Sequence, residues 1–311
     1  MHMHVFTDMD YAMHTSWRVK GFSMKPVTDA PMFGITKVYR GITAPLRLLP
    51  NFLIIGTQRG GTTSLYNYLI ARPGVGPAMV KELHFFDKKF NKGLSWYRAH
   101  FPSSIQKYSY QFTHKQTFVT GEASAYYLFH PHAPKRVAKV LPHVKLIVML
   151  RNPVDRAYSQ YNFEVDLGRE TLSFEDAIER EEERISKERE KMLADEGYVS
   201  FDYSRYSYLA RGIYADQLQT WMSLFPKEQF LMLKSEDFYA DPVNALEHTL
   251  KFLNLPELET HEKQKKYRLH NYNTTPYPKM NPDTRKRLAE YFEPHNARLY
   301  DLLGVDLGWE S

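Results

Sequence analysis

The sequence predicts an α/β fold, a central parallel sheet flanked by helices. Two stretches, Phe52 to Ser64 and Lys145 to Ser159, each pass from a short apolar strand through a loop directly into a helix. Continuous apolar strands separated by helical patterns belong to a sheet covered on both faces, which gathers ligands at the carboxyl ends of its strands. No Gly/Ser-rich or Pro-rich linker divides the 311 residues, so one large domain is expected over 49–311. Residues 1–48 lack clear periodicity and read as an extension that wraps the surface or stays partly disordered.

The elements follow in order. A strand over 52–56 leads into a helix from about Thr63 to Ala71, ended by the breaker pair in Arg72-Pro-Gly74. The strand Lys145–Leu150 leads through Arg151-Asn-Pro153 into a second helix. Dense alternating charge from Ser173 to Glu196 reads as one solvated helix, with Ser173 and Asp176 capping its start. Gly212–Phe225 has an amphipathic helical pattern, Gln229–Lys234 is a further strand, and Asp241–Leu253 is a helix with Pro242 in its first turn. A last helix over 283–303 repeats apolar residues at Leu288, Phe292 and Leu299.

Composition narrows the class. With 43% hydrophobic and 25% charged residues the chain reads as globular, and its longest apolar runs are strand-sized, so no integral membrane segment is expected. Zero cysteines exclude disulfides and thiol catalysis. The first 48 residues hold no apolar core beside a small-residue cleavage site, so a cytoplasmic setting is the expectation. A net charge of +5 suits an anionic ligand and does not demand nucleic acid.

The loop Gly56-Thr-Gln-Arg-Gly-Gly-Thr-Thr-Ser64 carries the chemistry. Unpaired amides at a helix start and the positive end of its dipole favour an anion together, and glycines let the backbone approach it. A nucleotide triphosphatase loop would place lysine after its second conserved glycine, where Thr62 stands. The cation is instead Arg59, a planar fork suited to phosphate oxygens. After the second strand, Arg151 occupies the place where an ATPase carries an acidic Mg²⁺ ligand, and Ser159 follows two helical turns on. Alone, these would read as a surface cation and a helix serine; a second phosphate site on the same sheet changes the weighting. Between the loops, Lys81-Glu-Leu-His-Phe-Phe-Asp87 crowds a carboxylate and an imidazole into one segment. If extended, it would put Glu82 and His84 on one face, where Glu82 can take a proton. The plainer reading pairs Glu82 with Lys81 and makes His84 a hydrogen-bonded structural residue.

The chain resembles the P-loop sulfotransferases, most closely the heparan sulfate glucosaminyl 3-O-sulfotransferase and N-sulfotransferase domains. The likeness runs from about residue 48 onward through the loop 56–63, Lys81–Asp87, Gly93–Tyr97, Gly121–Tyr127, Leu150–Tyr161, Tyr277-Pro278 and Glu290–Leu299. It implies the P-loop nucleotide-binding fold, 3′-phosphoadenylyl sulfate (PAPS) as donor, adenosine 3′,5′-bisphosphate (PAP) as product, and no metal. It further implies that Arg59, Gly60, Gly61, Thr62, Thr63 and Ser64 hold the 5′-phosphosulfate. Arg151 and Ser159 would hold the 3′-phosphate, with Thr274 and Thr275 in a late turn over the donor. Glu82 matches the catalytic base, His84 a residue assisting on the acceptor side, and Arg59 the usual loop lysine. The chain departs from the family at Arg59, at Ala123 where the animal enzymes carry lysine, and at Asn273-Thr-Thr275 in place of Lys-Gly-Arg. Lys265, Lys266 or Arg268 are candidates to supply the missing charge. The acceptor, a hydroxyl or amine of a glycan, lipid, small metabolite or carrier-bound chain, stays open. So do two other readings, a nucleotide kinase or NTPase and a catalytically idle nucleotide-binding module.

Overall fold

Every residue of Phe52–Gly56 (β1) is buried, and its alternate side chains enter two different cores. Leu53 and Ile55 pack on one face of the sheet and Phe52 and Ile54 on the other, as the period-two alternation of a strand requires. The structure is a computed structural model and describes residues 38–260 and 277–309. Strand β1 feeds helix α1 (Thr62–Ile70), then the short edge strand β2 (Val75–Pro77). Helices α2 (Gly93–Arg98) and α3 (Ser104–His114) precede β3 (Val119–Ala123), and α4 (Ala133–Val140) leads to β4 (Lys145–Leu150). Helix α5 (Pro153–Asp166) follows β4 directly.

The sheet has five strands in the order β2-β3-β1-β4-β5, all pairs parallel, with β5 (Phe230–Lys234) at the far edge. The sequence-based expectation of a central parallel sheet flanked by helices therefore holds. Between α5 and β5 lie α6 (Phe174–Glu179), α7 (Glu181–Ala194), α8 (Phe201–Tyr206) and α9 (Tyr214–Met222). After β5 come α10 (Ser235–Ala240), α11 (Pro242–Phe252) and α12 (Pro282–Leu303). Trp221 and Tyr97 are fully buried between helices and sheet, and Phe292 among helices. Each contributes about 1.5–3 kcal/mol by leaving water.

Two details differ from the sequence reading. The predicted single helix over 173–196 is two, breaking at Arg180. Glu181, buried at the start of α7, turns its carboxylate to the N–H groups of Leu209 (2.7 Å) and Ala210 (2.8 Å). The described end of the N-terminal extension is docked: Arg40 donates to Ala99 O (2.6 Å) and Phe101 O (2.8 Å), and Arg47 bridges to Ser103.

Candidate active site

The loop after β1 is tightly held. Thr57 N–H donates to Met149 O (2.7 Å) on the neighbouring strand, and Gly60 N–H donates to Thr57 O (3.0 Å). A Cβ on Gly60 would sit 3.0 Å from both the Met149 and Thr57 carbonyl oxygens, and Ser235 Oγ donates to Gly60 O at 2.8 Å. Gly61 caps α1 with φ +94°, a conformation other residues rarely take. The helical ladder begins with Leu65 N–H to Gly61 O, so the amides of Thr62, Thr63 and Ser64 precede it at the positive end of the helix.

The two expected phosphate sites meet. Arg59, at φ +68°, reaches across the loop so that its Nε donates to Ser159 Oγ at 3.0 Å. Arg151 Nη1 donates to the Arg59 carbonyl at 2.9 Å. Burial first, and then the adjacent Arg151 charge, push the Arg59 guanidinium below its ordinary pKa. A site that holds two cations this close in a desolvated pocket is stabilised by an anion. The placement of Arg151 is fixed from three sides. Tyr214 O–H donates to Arg151 O (2.8 Å), Glu236 accepts from Asn152 N–H (2.8 Å), and the Asn152 side chain caps α5 by accepting from Val154 N–H. Ser235 and Glu236 of α10 thus belong to the site and were not found by sequence reasoning; a serine and a glutamate directly after the β5 strand were the available signal.

Glu82 and His84 also come together, by a route other than the alternation of an extended segment. Both sit in the left-handed region, at φ +59° and +54°, so the segment coils and points both side chains inward. Glu82 N–H donates to Ala123 O (3.1 Å) and His84 N–H to Ser124 Oγ (3.3 Å), anchoring the coil to the end of β3. Tyr127 O–H accepts from Phe85 N–H at 2.9 Å. His84 Nδ1 lies 2.6 Å from Asp87 Oδ2, and its Nε2 lies 3.2 Å from Glu82 Oε2. Lys81 Nζ holds the other Glu82 oxygen at 3.1 Å, the plain ion pair that the sequence also allowed.

The titration of this chain of groups follows from its contacts. Burial alone would lower His84, but the Asp87 charge and hydrogen bond, helped by Glu82, raise it to about 8. Burial alone would raise Glu82; Lys81 and His84 overcome it and hold the carboxylate well below its usual range. Beside them, the Lys88 ammonium lies 5.4 Å from the Tyr126 ring centroid and the Arg211 guanidinium 4.7 Å from the same ring. Arg211 also donates to Gln58 of the loop, joining this basic cluster to the phosphate site.

Other residues behave as structure. Glu122 is fully buried and accepts from Tyr97 (2.7 Å), Ser124 (2.8 Å) and Tyr127 (3.0 Å); burial raises its pKa despite those three bonds. Ala123 is buried in β3. Thr274 and Thr275, with Lys265, Lys266 and Arg268, lie outside the described residues. The chain is described again from Tyr277, whose ring stands 5.5 Å from that of Tyr158 on α5.

The model of the sulfotransferase domain matches residues 49–295. Human heparan sulfate glucosamine 3-O-sulfotransferase 3A1 is 31% identical over 281 residues, covering 85% of this chain and 63% of that protein. The bifunctional heparan sulfate N-deacetylase/N-sulfotransferase 1 of Caenorhabditis elegans is 29% identical, over 84% of this chain and 30% of its own. The chain therefore spans less than two thirds of the length of these relatives. Among solved structures, a sulfotransferase from Alicyclobacillus acidocaldarius superposes with TM-score 0.62 at 32% identity, covering 84% of this chain and 99% of that one.

Proposed function

Because the chain belongs to the sulfotransferase domain family, we propose that it transfers the sulfuryl group of PAPS to a hydroxyl or amine. The observation that carries this reading is the Arg59–Ser159 contact, 3.0 Å across 100 residues of chain, with Arg151 on the Arg59 carbonyl. It brings a loop suited to a 5′-phosphosulfate within one side chain of a pair suited to a 3′-phosphate. In this reading the amides and hydroxyls of Thr62, Thr63 and Ser64, with Gly60, Gly61 and Arg59, hold the phosphosulfate, and Arg151 and Ser159 hold the 3′-phosphate.

The reaction breaks the bond from sulfur to the phosphate oxygen and forms one to the acceptor oxygen or nitrogen. Charge accumulates on the departing phosphate, where Arg59 and the loop amides neutralise it, and alignment does most of the remaining work. The acceptor proton goes to Glu82. As found, Glu82 is engaged by Lys81 and His84, so an acceptor must displace one of those contacts before the carboxylate is basic enough to act. Asp87 holds His84 at Nδ1 and so fixes which nitrogen faces Glu82.

Lys88, which feels the charges of Glu82, Arg211 and Arg205, favours an anionic acceptor beside Glu82. The relatives that carry glucosamine in their names make a glucosamine-bearing anionic glycan the first acceptor to test. Incubation with sulfur-labelled PAPS and a panel of such oligosaccharides, hydroxylated lipids and small amines tests the reading. Label moves to a hydroxyl or amine if it is right. Donor binding with no transfer to any panel member would favour an idle module, and Mg²⁺-dependent ATP turnover a kinase or NTPase.

A further inference from the structure

Helix α3 is inside out. None of its residues is buried, and its apolar stripe, Ile105, Tyr108 and Phe112 at spacings of three and four, faces solvent at 72%, 66% and 77% exposure. Its half-buried positions are the polar Ser104, Lys107 and Gln111, with Tyr110 beside them. Beside the start of α3 runs the docked segment 38–47, tied to it through the Arg47–Ser103 bridge and Leu48 N–H to Pro102 O. That segment also turns apolar side chains outward, Ile42 at 75% and Leu46 at 59%. Exposed apolar patches of this extent mark an interaction surface.

Among the described residues, the two stretches of chain that build this face carry charge of one sign. Neither 38–81 nor 88–121 contains an aspartate or glutamate, while both contribute cations, including Arg40, Lys89, Lys92, Lys107 and Lys115. Lys115 sits with its ammonium over the Phe112 ring, 4.5 Å from the centroid, so a cation accompanies the exposed aromatic. Outward aromatic and branched side chains fringed by cations, with no carboxylate in either of these described stretches, complement a surface that is apolar beneath and negative at its rim. We propose that α3 and the segment 38–47 form a docking face for an anionic phospholipid bilayer, with Ile42, Ile105, Tyr108 and Phe112 entering the interface. A soluble polyanion fits less well, because the most exposed atoms are apolar.

The face lies away from the donor site. Lys107 and Gln111 line a cleft of about 590 Å³ together with Asn51, Val119 and Lys145, which mark the amino-terminal ends of β1, β3 and β4. The phosphate loop leaves the opposite, carboxyl end of β1. Docking therefore leaves the proposed active site open to water, and the inference stands independently of the proposed reaction.

Flotation of the full chain with vesicles tests it. The protein should float with vesicles of phosphatidylcholine containing phosphatidylglycerol and not with phosphatidylcholine alone, and salt should weaken the binding. The double variant Ile105→Ser, Phe112→Ser should lower partitioning by about tenfold or more, and Ile42→Ser with Leu46→Ser should do the same from the neighbouring segment. Flotation with neither vesicle, or undiminished flotation of both variants, would overturn the proposal. So would light scattering that shows a dimer dispersed by the same substitutions without vesicle binding, or equal retention on a sulfated polysaccharide resin with no flotation.

Discussion

His84→Asn separates the electrostatics of the Asp87–His84–Glu82 chain from its packing. Asparagine tolerates the left-handed backbone at this position, φ +54°, and whatever strain and lost contacts remain do not depend on pH. In the folded protein His84 is raised from 6.5 to about 8, a difference of about 1.5. At 1.36 kcal/mol per pH unit, this is about 2 kcal/mol of stability. Because the folded value is the higher one, that stability is fully present below about pH 6.5 and is lost as the pH rises through about 8. Asp87 keeps its second contact, the Lys88 N–H at 2.6 Å, in both proteins. Urea unfolding of wild type and variant at about pH 6 and about pH 9 reads the effect directly. The stability gap between them should narrow by about 2 kcal/mol from the lower to the higher pH. A gap of the same size at both would mean that His84 is not gripped electrostatically by the two carboxylates, and the proposed ordering of Glu82 would fail with it.

Three further perturbations address other parts of the site. Glu82→Gln should lower turnover by about two to four orders of magnitude while leaving PAP affinity unchanged in calorimetric titration; equal loss of both would defeat its role as base. Arg151→Ala should weaken PAP binding by about tenfold to hundredfold, from loss of a charge-assisted hydrogen bond, and leave adenosine 5′-monophosphate binding unaffected; an unchanged PAP dissociation constant would remove Arg151 from the 3′-phosphate site. Gly121→Ala would place a Cβ 2.5 Å from the Phe52 ring, inside the β1–β3 pair. It should cost about 1–3 kcal/mol of stability in urea titrations, and a neutral result would mean that the sheet yields at this point.

What the sequence made legible was set by how locally each feature is encoded. Strands β1, β4 and β5 are runs of apolar residues, and the helices after β1 and β4 begin with a glycine and with a capped proline, so each of these reads within a dozen residues; α10, directly after β5, has no capping side chain and went unread. Strand β3 does not: Val119-Thr-Gly-Glu-Ala123 holds a glycine that makes room for Phe52 and a glutamate satisfied by the hydroxyls of Ser124, Tyr127 and the more distant Tyr97. Both are tertiary features with no local pattern. Strand β2, three residues including glycine and proline, survives only as an edge. Helix α3 escaped because its apolar stripe covers no core. At the site, the loop and Arg151 stand out by residue type and place, whereas the Glu82–His84 pair, which would share a face if the segment were extended, is made by two left-handed residues. Arg211, which ties the loop to the basic cluster, has no sequence neighbour that announces it.

Adenosine 3′,5′-bisphosphate titrated calorimetrically against adenosine 5′-monophosphate, in wild type and in Ser159→Ala, tests the pairing of the two phosphate sites most directly. The account predicts that the bisphosphate binds markedly tighter than the monophosphate and that the substitution erodes that preference while sparing the monophosphate. Equal affinity for the two nucleotides in the wild type would contradict it.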